Sequence, residues 1–132
     1  MTSISDLQAL AYKQSADKGF HDNEPTEGRA LLSLNAERIA LMHSELSEAL
    51  EELRNGKPAD ATYYPDGVVL HGRNVTVYGA PAKPEGVPSE MADVVIRGLD
   101  FCGANGIDLE GMITEKLAFN AGRPKMHGGK KF

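Results

Sequence analysis

One segment of the chain, residues 88–101, is apolar around nearly its whole circumference when it is drawn as an α-helix. A helix of this kind has to be buried on more than one side. Its charged residues are spaced three or four apart and share one narrow face. They are Glu90, Asp93, Arg97 and Asp100. Because a chain of 132 residues has few other helices to cover the apolar sides, we expect a homodimer or a dimer of dimers.

Helical periodicity continues in three further segments, each of which ends at a glycine. We predict helices over about 5–18, 33–55, 88–101 and 108–121. Met112 and Leu117 are predicted core residues of the last helix. The fold class that follows is all-α, with residues 1–132 forming a single domain that is similar to a four-helix bundle.

Residues 57–87 break the helical pattern, because they are rich in proline, glycine and β-branched or aromatic residues. Pro65-Asp66-Gly67 is a turn signal between two short β-prone runs, and Asn74 to Tyr78 is a third such run. We therefore expect a small β-hairpin inserted between helices 2 and 3. Residues 123–132 are basic and glycine-rich and are predicted to form a C-terminal arm.

Charge and cysteine content limit the partners of this chain. Its net charge of −5 gives no general attraction to a nucleic acid polymer or to an anionic membrane. It lacks an apolar stretch as long as a membrane span and a start typical of a signal peptide. The single cysteine, Cys102, is expected to be a small core residue in a reducing compartment. We therefore expect a cytoplasmic protein.

Two pairs of carboxylates are the strongest chemical signal. Glu45 and Glu48 lie three residues apart in the second predicted helix, and Glu90 and Asp93 do so in the third. An isolated pair is usually just solvated, but the second pair occupies the only polar strip of a buried helix. Carboxylates crowded beside a core need a cation or a proton to offset their repulsion. Two facing pairs would bind a hard divalent cation, Mg²⁺ or, in its place, Mn²⁺.

A second polar set lies on the last predicted helix. Lys116, Asn120 and Arg123 share one of its faces. The two cations are favourable near a helix C-terminus, and that effect alone accounts for them as well as phosphate binding does. The spacing leaves both interpretations open. His43 faces away from the carboxylates and is not expected to be a ligand.

The chain resembles the MazG-like, all-α nucleoside triphosphate pyrophosphohydrolases. The similarity rests on HSELSEALEELR (43–54), EMADVVIRGLDF (90–101), GIDLEGMITEKLAFNAGRP (106–124) and the closing HGGKKF. It implies that the E-x-x-E and E-x-x-D carboxylates, Glu45, Glu48, Glu90 and Asp93, bind Mg²⁺, and that Lys116 and Asn120 contact the nucleotide. The 41 residues between Glu48 and Glu90 exceed the usual spacing of the family because they contain the β-prone insertion.

The expected reaction is Mg²⁺-dependent hydrolysis of a (deoxy)nucleoside triphosphate to the monophosphate and pyrophosphate, as nucleotide-pool housekeeping. Glu48 is the candidate general base, and Lys116 and Arg123 would stabilise charge on the leaving pyrophosphate. Glu52 is a candidate additional ligand. Two alternatives remain at this point. One is a narrow dUTP- or dCTP-type pyrophosphatase, and the other is a non-catalytic helical dimer that acts as a regulatory or interaction module.

Overall fold

The computed structural model describes residues 2–72, 82–125 and 129–132 of the chain. This part of the molecule is mostly helical, with 63% of residues in helices and a small two-stranded sheet between the second and third helices. The prediction of a helical protein with a β insertion at that place is confirmed. The elements, in chain order, are α1 (Ile4–Asp17), α2 (Gly28–Arg54), β1 (Ala61–Tyr63), β2 (Val69–His71), α3 (Val87–Ala104) and α4 (Leu109–Ala121).

The helix starts follow from local capping chemistry. The Ser3 hydroxyl accepts a hydrogen bond from the Asp6 N–H, and the Asp6 carboxylate accepts one from the Ser3 N–H, both at 3.0 Å. This reciprocal pair is a capping box. At α4 the Asp108 carboxylate caps the first turn, since it accepts a hydrogen bond from the Gly111 N–H at 3.0 Å.

The second helix begins five residues earlier than predicted, at Gly28 instead of about Ser33. The sequence does not mark this start, because the N-cap residue, Glu27, makes no side-chain capping hydrogen bond. Gly28 has a φ of +72°, so the chain reverses out of the loop at that residue. The next residues include Ala and two Leu, which have high helix propensity and extend the helix toward its N-terminus.

The core follows α3, which packs against both α1 and α2. Leu99 and Cys102 of α3 are buried, and Ala49 of α2 is buried with them. Cys102 is therefore the small core residue that the sequence predicted, and burial raises the pKa of its thiol. The prediction that this helix is covered on more than one side is confirmed.

The hairpin is part of the packed structure. β1 and β2 pair antiparallel, and the predicted turn at residues 65–67 joins them, with the Gly67 N–H donating to the Tyr64 carbonyl at 3.0 Å. Thr62 and Tyr64 are buried, and β1 packs against α3. Tyr63 also exchanges two backbone hydrogen bonds with Glu85, just before α3 begins. The third predicted β-prone run, Asn74 to Tyr78, lies outside the described residues.

The fourth helix departs from the prediction. It packs against α1, and the Glu110 carboxylate accepts a hydrogen bond from the Ile4 N–H at 3.1 Å. Its predicted core residues are nevertheless open to solvent, with Met112 49% and Leu117 63% exposed. Their assignment to the core was wrong for a single chain. The apolar spacing identified the helix correctly but could not show that α1 covers only part of it.

Part of the predicted C-terminal arm, residues 126–128, lies outside the described residues. The described remainder, residues 123–125 and 129–132, is exposed. Among all the helices described, none is long and apolar enough to cross a lipid bilayer.

Gly86 positions the start of α3 against the hairpin, and its replacement tests that packing. Its φ of +112° is a conformation that residues with a Cβ rarely adopt, and a Cβ there would lie 2.4 Å from the Ala61 carbonyl oxygen. Gly86→Ala is expected to lower the free energy of unfolding by about 3 kcal/mol or more, measured by urea denaturation.

Gly56→Ala is the matched control. Gly56 also has a positive φ, +83°, but a Cβ there would meet no atom within 4 Å. It should lose only about 1–2 kcal/mol, from backbone strain. Equal losses in the two variants would contradict the close contact between Gly86 and β1.

Candidate metal centre

Three of the four predicted ligands meet where α2 packs against α3. Glu45 comes from α2, and Glu90 and Asp93 come from successive turns of α3. One carboxylate oxygen of each residue lies within 4.8 Å of the other two. The Glu45 side chain is only 11% exposed, so the cluster lies at the edge of the core, as the helix faces predicted.

The fourth predicted ligand, Glu48, lies beside this trio. It is one turn beyond Glu45 on α2, and its side chain is exposed. It is nevertheless close enough to Glu90 to interact with that carboxyl group by hydrogen bonding and by charge. Its position at the solvent edge of the cluster suits a group that exchanges protons with water.

The crowding changes how these acids titrate. Burial, followed by contacts with Glu48 and Glu45, raises the pKa of Glu90 to about 7. Burial and then the charge of Glu45 also raise the pKa of Asp93. Burial also acts to raise the pKa of Glu45, but the hydrogen bond and charge of Arg97, together with contacts to Glu90 and Glu48, outweigh burial and lower that pKa. The cluster therefore favours binding a proton or a cation.

The position of one Glu90 oxygen shows where the cluster lacks a positively charged or hydrogen-bonding partner. Glu90 Oε2 is buried and has no hydrogen-bond partner among the described residues. A buried carboxylate oxygen without a donor is costly, and a bound cation would remove that cost. Ligands of one octahedral Mg²⁺, each about 2.1 Å from the ion, lie about 3.0–4.2 Å apart, which the 4.8 Å limit of the trio accommodates with small side-chain movements. The donor set therefore fits Mg²⁺ or Mn²⁺.

Arg97 lies one turn beyond Asp93 on the same face of α3. Its Nε donates a hydrogen bond to Glu45 Oε1 at 2.8 Å. The sequence indicated that Arg97 shares the acidic face but gave it no role. Spacing along α3 could not reveal its partner, because that partner lies on α2.

The hairpin lies near the cluster, because the charge of Glu90 acts on Tyr63. The Tyr63 hydroxyl donates to the Glu52 carboxylate, with both oxygens at 2.7 Å. That hydrogen bond, together with burial and the charges of Glu52, Glu85 and Glu90, raises the pKa of Tyr63 to about 12. Glu52, considered above as an additional ligand, therefore serves to hold the hairpin on α2 in this structure. His43 is exposed on α2 and is not part of the acidic trio.

A groove of about 700 Å³ opens next to the acidic cluster. Its walls come from α1, α2 and α3, and Glu45, Asp93 and Arg97 line it. Apolar side chains, including Phe20 and Phe101, line it as well. A second depression of about 680 Å³ lies along α4 and contains none of the cluster carboxylates. The first groove is the one that can present a ligand to the cluster.

A buried ionic network joins the loop between α1 and α2 to α3. The His21 side chain is 6% exposed, with Nδ1 3.0 Å from Glu24 Oε2 and Nε2 2.7 Å from Asp100 Oδ1. Arg38 of α2 also pairs with Glu24, and the Tyr12 ring stacks against His21 with the centroids 4.7 Å apart. The sequence indicated only the position of Asp100 on α3, since no periodicity places loop residues such as His21.

The predicted substrate-binding residues lie elsewhere on the chain. Lys116, Asn120 and Arg123 are exposed on and just after α4, and none of them lines the groove beside the cluster. Lys116 and Arg123 both lie over the Phe119 ring, at 5.8 and 5.7 Å from its centroid. A single chain therefore does not bring them together with the carboxylates.

Comparison with known proteins found no matching family model, no matching curated protein and no matching solved structure. The family resemblance drawn from the motifs therefore stays a prediction.

The His21 network generates a prediction about pH. Burial lowers the pKa of His21, but its hydrogen bonds to Asp100 and Glu24 and their charges outweigh burial and raise it. A raised histidine pKa stabilises the fold fully below the unfolded value, about 6.5, and this stabilisation is lost as pH rises through the folded value. His21→Gln is therefore expected to cost about 2 kcal/mol at pH 6 and clearly less at pH 9, measured by urea denaturation.

His43→Gln, at an exposed position on α2, is the control and should change stability little at either pH. A loss for His21→Gln that is the same at pH 6 and pH 9 would contradict a protonated His21 between the two carboxylates.

Proposed function

We propose that this chain hydrolyses (deoxy)nucleoside triphosphates to the monophosphate and pyrophosphate, using Mg²⁺ or Mn²⁺. The observation that carries the proposal is the trio of Glu45, Glu90 and Asp93, whose oxygens lie within 4.8 Å of one another. The partnerless Glu90 oxygen supports it, since it needs a cation or a proton. An acidic chain that acts on a polyanionic substrate also needs a metal to offset their repulsion.

The proposed role of each residue follows from its position in the cluster. Glu45, Glu90 and Asp93 would hold the ion. Glu48 would either bind the ion as a fourth ligand or act as the general base at the edge of the trio. A bound Mg²⁺ neutralises phosphate charge and lowers the pKa of a coordinated water. Because Glu48 is exposed beside the trio, it can take a proton from the attacking water and release it to solvent. The adjoining groove has both apolar walls and charged groups, as a site for a nucleoside requires.

The proposal assigns Lys116, Asn120 and Arg123 to the substrate, with the two cations next to the leaving pyrophosphate. In one chain these residues lie outside the groove. Their proposed role therefore depends on a second copy that presents its α4 to the cluster. Such a copy is the self-association that the apolar α3 led us to expect.

Uncovered apolar residues support self-association. Leu46, Leu50 and Leu53 form a stripe on α2, and Leu50 is 58% exposed. Met91 and Val95 are similarly exposed on α3. Apolar side chains grouped in this way typically mark a protein interface. We propose that the chain assembles as a homodimer or a dimer of dimers through these helices.

The reaction is tested by measuring pyrophosphate release from a panel of ribo- and deoxynucleoside triphosphates with Mg²⁺ and with EDTA. We expect release only with Mg²⁺. Glu48→Gln and Asp93→Asn should each lower kcat by about a hundredfold or more, because a proton acceptor or a metal ligand is lost. Wild-type turnover in Asp93→Asn would remove the cluster from the reaction.

Glu51→Gln is the matched control for these variants. Glu51 lies on α2, as Glu48 does, but it is exposed and pairs with Arg54 at 3.2 Å. It should retain turnover and stability close to wild type, because exposed ion pairs contribute little. Circular dichroism of all three variants would show that any loss of turnover is not a loss of fold.

Self-association is tested by light scattering. The wild-type protein is expected at two or four times the 14.2 kDa chain mass. Leu50→Glu places a charge in the proposed interface and should shift the mass toward that of one chain. A wild-type protein of single-chain mass would exclude the proposed assembly.

A non-catalytic helical dimer is the second candidate, and the same exposed apolar residues favour it. It predicts no pyrophosphate release from any nucleotide and no increase in Tm with Mg²⁺. A narrow dUTP- or dCTP-type pyrophosphatase would share the carboxylate site, so metal binding does not distinguish it from a broad enzyme. The rank order across the nucleotide panel does.

A further inference from the structure

We infer that Arg97 is a phosphate-binding residue of the groove, paired with Glu45 until a divalent cation takes that carboxylate. This inference rests on the proposed function and adds to it a specific cationic contact for the triphosphate. It concerns a residue that neither the carboxylate motifs nor the basic set on α4 includes.

The two partners of the ion pair differ in how firmly they are held. The Glu45 side chain is 11% exposed, whereas that of Arg97 is 42% exposed. Both residues line the groove of about 700 Å³. The carboxylate is therefore held within the helix packing, while the guanidinium group has open space into which it can move.

Arg97 uses little of its hydrogen-bonding capacity on Glu45. A guanidinium group has five N–H donors, and the contact with Glu45 is made through Nε alone. Among the described residues, its two terminal nitrogens donate to no protein acceptor. Four N–H donors are thus available beside the acidic cluster, in the planar arrangement that suits phosphate oxygens.

Glu45 is at the same time a member of the trio that would bind the cation. A divalent ion on Glu45 competes with Arg97 for the negative charge of one carboxylate, so each weakens the binding of the other. A triphosphate arriving with the ion offers Arg97 a replacement anion. The guanidinium would then exchange a carboxylate partner for a phosphate partner without ever lacking one.

The other cations near the cluster are less suited to this role. Arg38 lines the groove but is bound to Glu24 and to the Phe20 carbonyl. Lys83 acts on Asp93 by charge, but it pairs with Glu85 at 3.3 Å and does not line the groove. Lys18 lines the groove from the C-terminal end of α1, but among the described residues it forms no ion pair with a carboxylate of the trio. Arg97 is the groove cation that touches the acidic trio itself.

The test measures binding of two probes, MnCl₂ alone and inorganic tripolyphosphate in the presence of saturating Mn²⁺. Titration calorimetry would compare the wild-type protein with Arg97→Gln, Arg97→Lys and the control Arg54→Gln. Arg54 is exposed and pairs with Glu51 on the solvent side of α2, so its replacement should match wild type. Tripolyphosphate isolates the phosphate contact, because it carries no base or sugar.

Arg97→Gln is expected to bind Mn²⁺ several-fold more tightly, since the competing charge is gone. The same variant should bind tripolyphosphate about tenfold more weakly or worse, because a charge-assisted hydrogen bond is lost. Arg97→Lys should fall between these results, as it keeps the charge but not the planar set of donors. Opposite changes in the two affinities are the signature of the exchange.

Other results would overturn the inference. Unchanged tripolyphosphate binding in Arg97→Gln would make Arg97 only a fixed counter-charge for Glu45. Unchanged Mn²⁺ affinity would mean that the ion does not compete for Glu45. A wild-type protein that binds no Mn²⁺ would overturn the metal site and this inference together. If the opposite changes occur but no nucleotide releases pyrophosphate, the proposed reaction fails while the phosphate contact of Arg97 stands.

Discussion

Where α2 packs against α3, Glu45 is buried and Glu90 is half-buried, and one carboxylate oxygen of each lies within 4.8 Å of an Asp93 oxygen and of the other. Repulsion between such groups opposes the packing of the two helices, and the structure offsets it only in part. Arg97 neutralises Glu45, and the raised pKa of Glu90 marks where positive charge is still lacking. The cluster is thus left with a demand for positive charge that a proton or a cation can meet.

The rest of the molecule is arranged around α3. Its apolar sides contact α1 and α2, and its start is held against β1 by the close approach at Gly86. The hairpin is in turn fixed to α2 through the hydrogen bond from Tyr63 to Glu52. One helix therefore supplies core residues, two of the three clustered carboxylates and the arginine, so a change in its packing also moves these charged groups. A change that shifts α3 along α2 by one turn would separate the carboxylates and expose the core.

The uncovered apolar residues connect the fold to the proposed assembly. α4 packs against α1, yet Met112 and Leu117 remain largely exposed, and α2 presents a further leucine stripe. The basic residues proposed to contact substrate lie on and just after the same α4. If a second copy covers these faces, burial of apolar surface and completion of the site would occur in one step. The packing of a single chain thus leaves much of the apolar surface of α4 uncovered.

Local physics accounts for what the sequence by itself determined. Helical periodicity located all four helices, turn chemistry located the hairpin, and spacing placed each carboxylate pair on one helix face, because these features depend on residues only a few positions apart. Tertiary structure alone decided which faces meet. It brought Glu45 into the trio and left Glu48 at its edge, paired Arg97 with a partner 52 residues away, and buried His21 between Glu24 and Asp100. Such contacts depend on how helices pack and rotate against one another, and no short-range pattern in the chain specifies that.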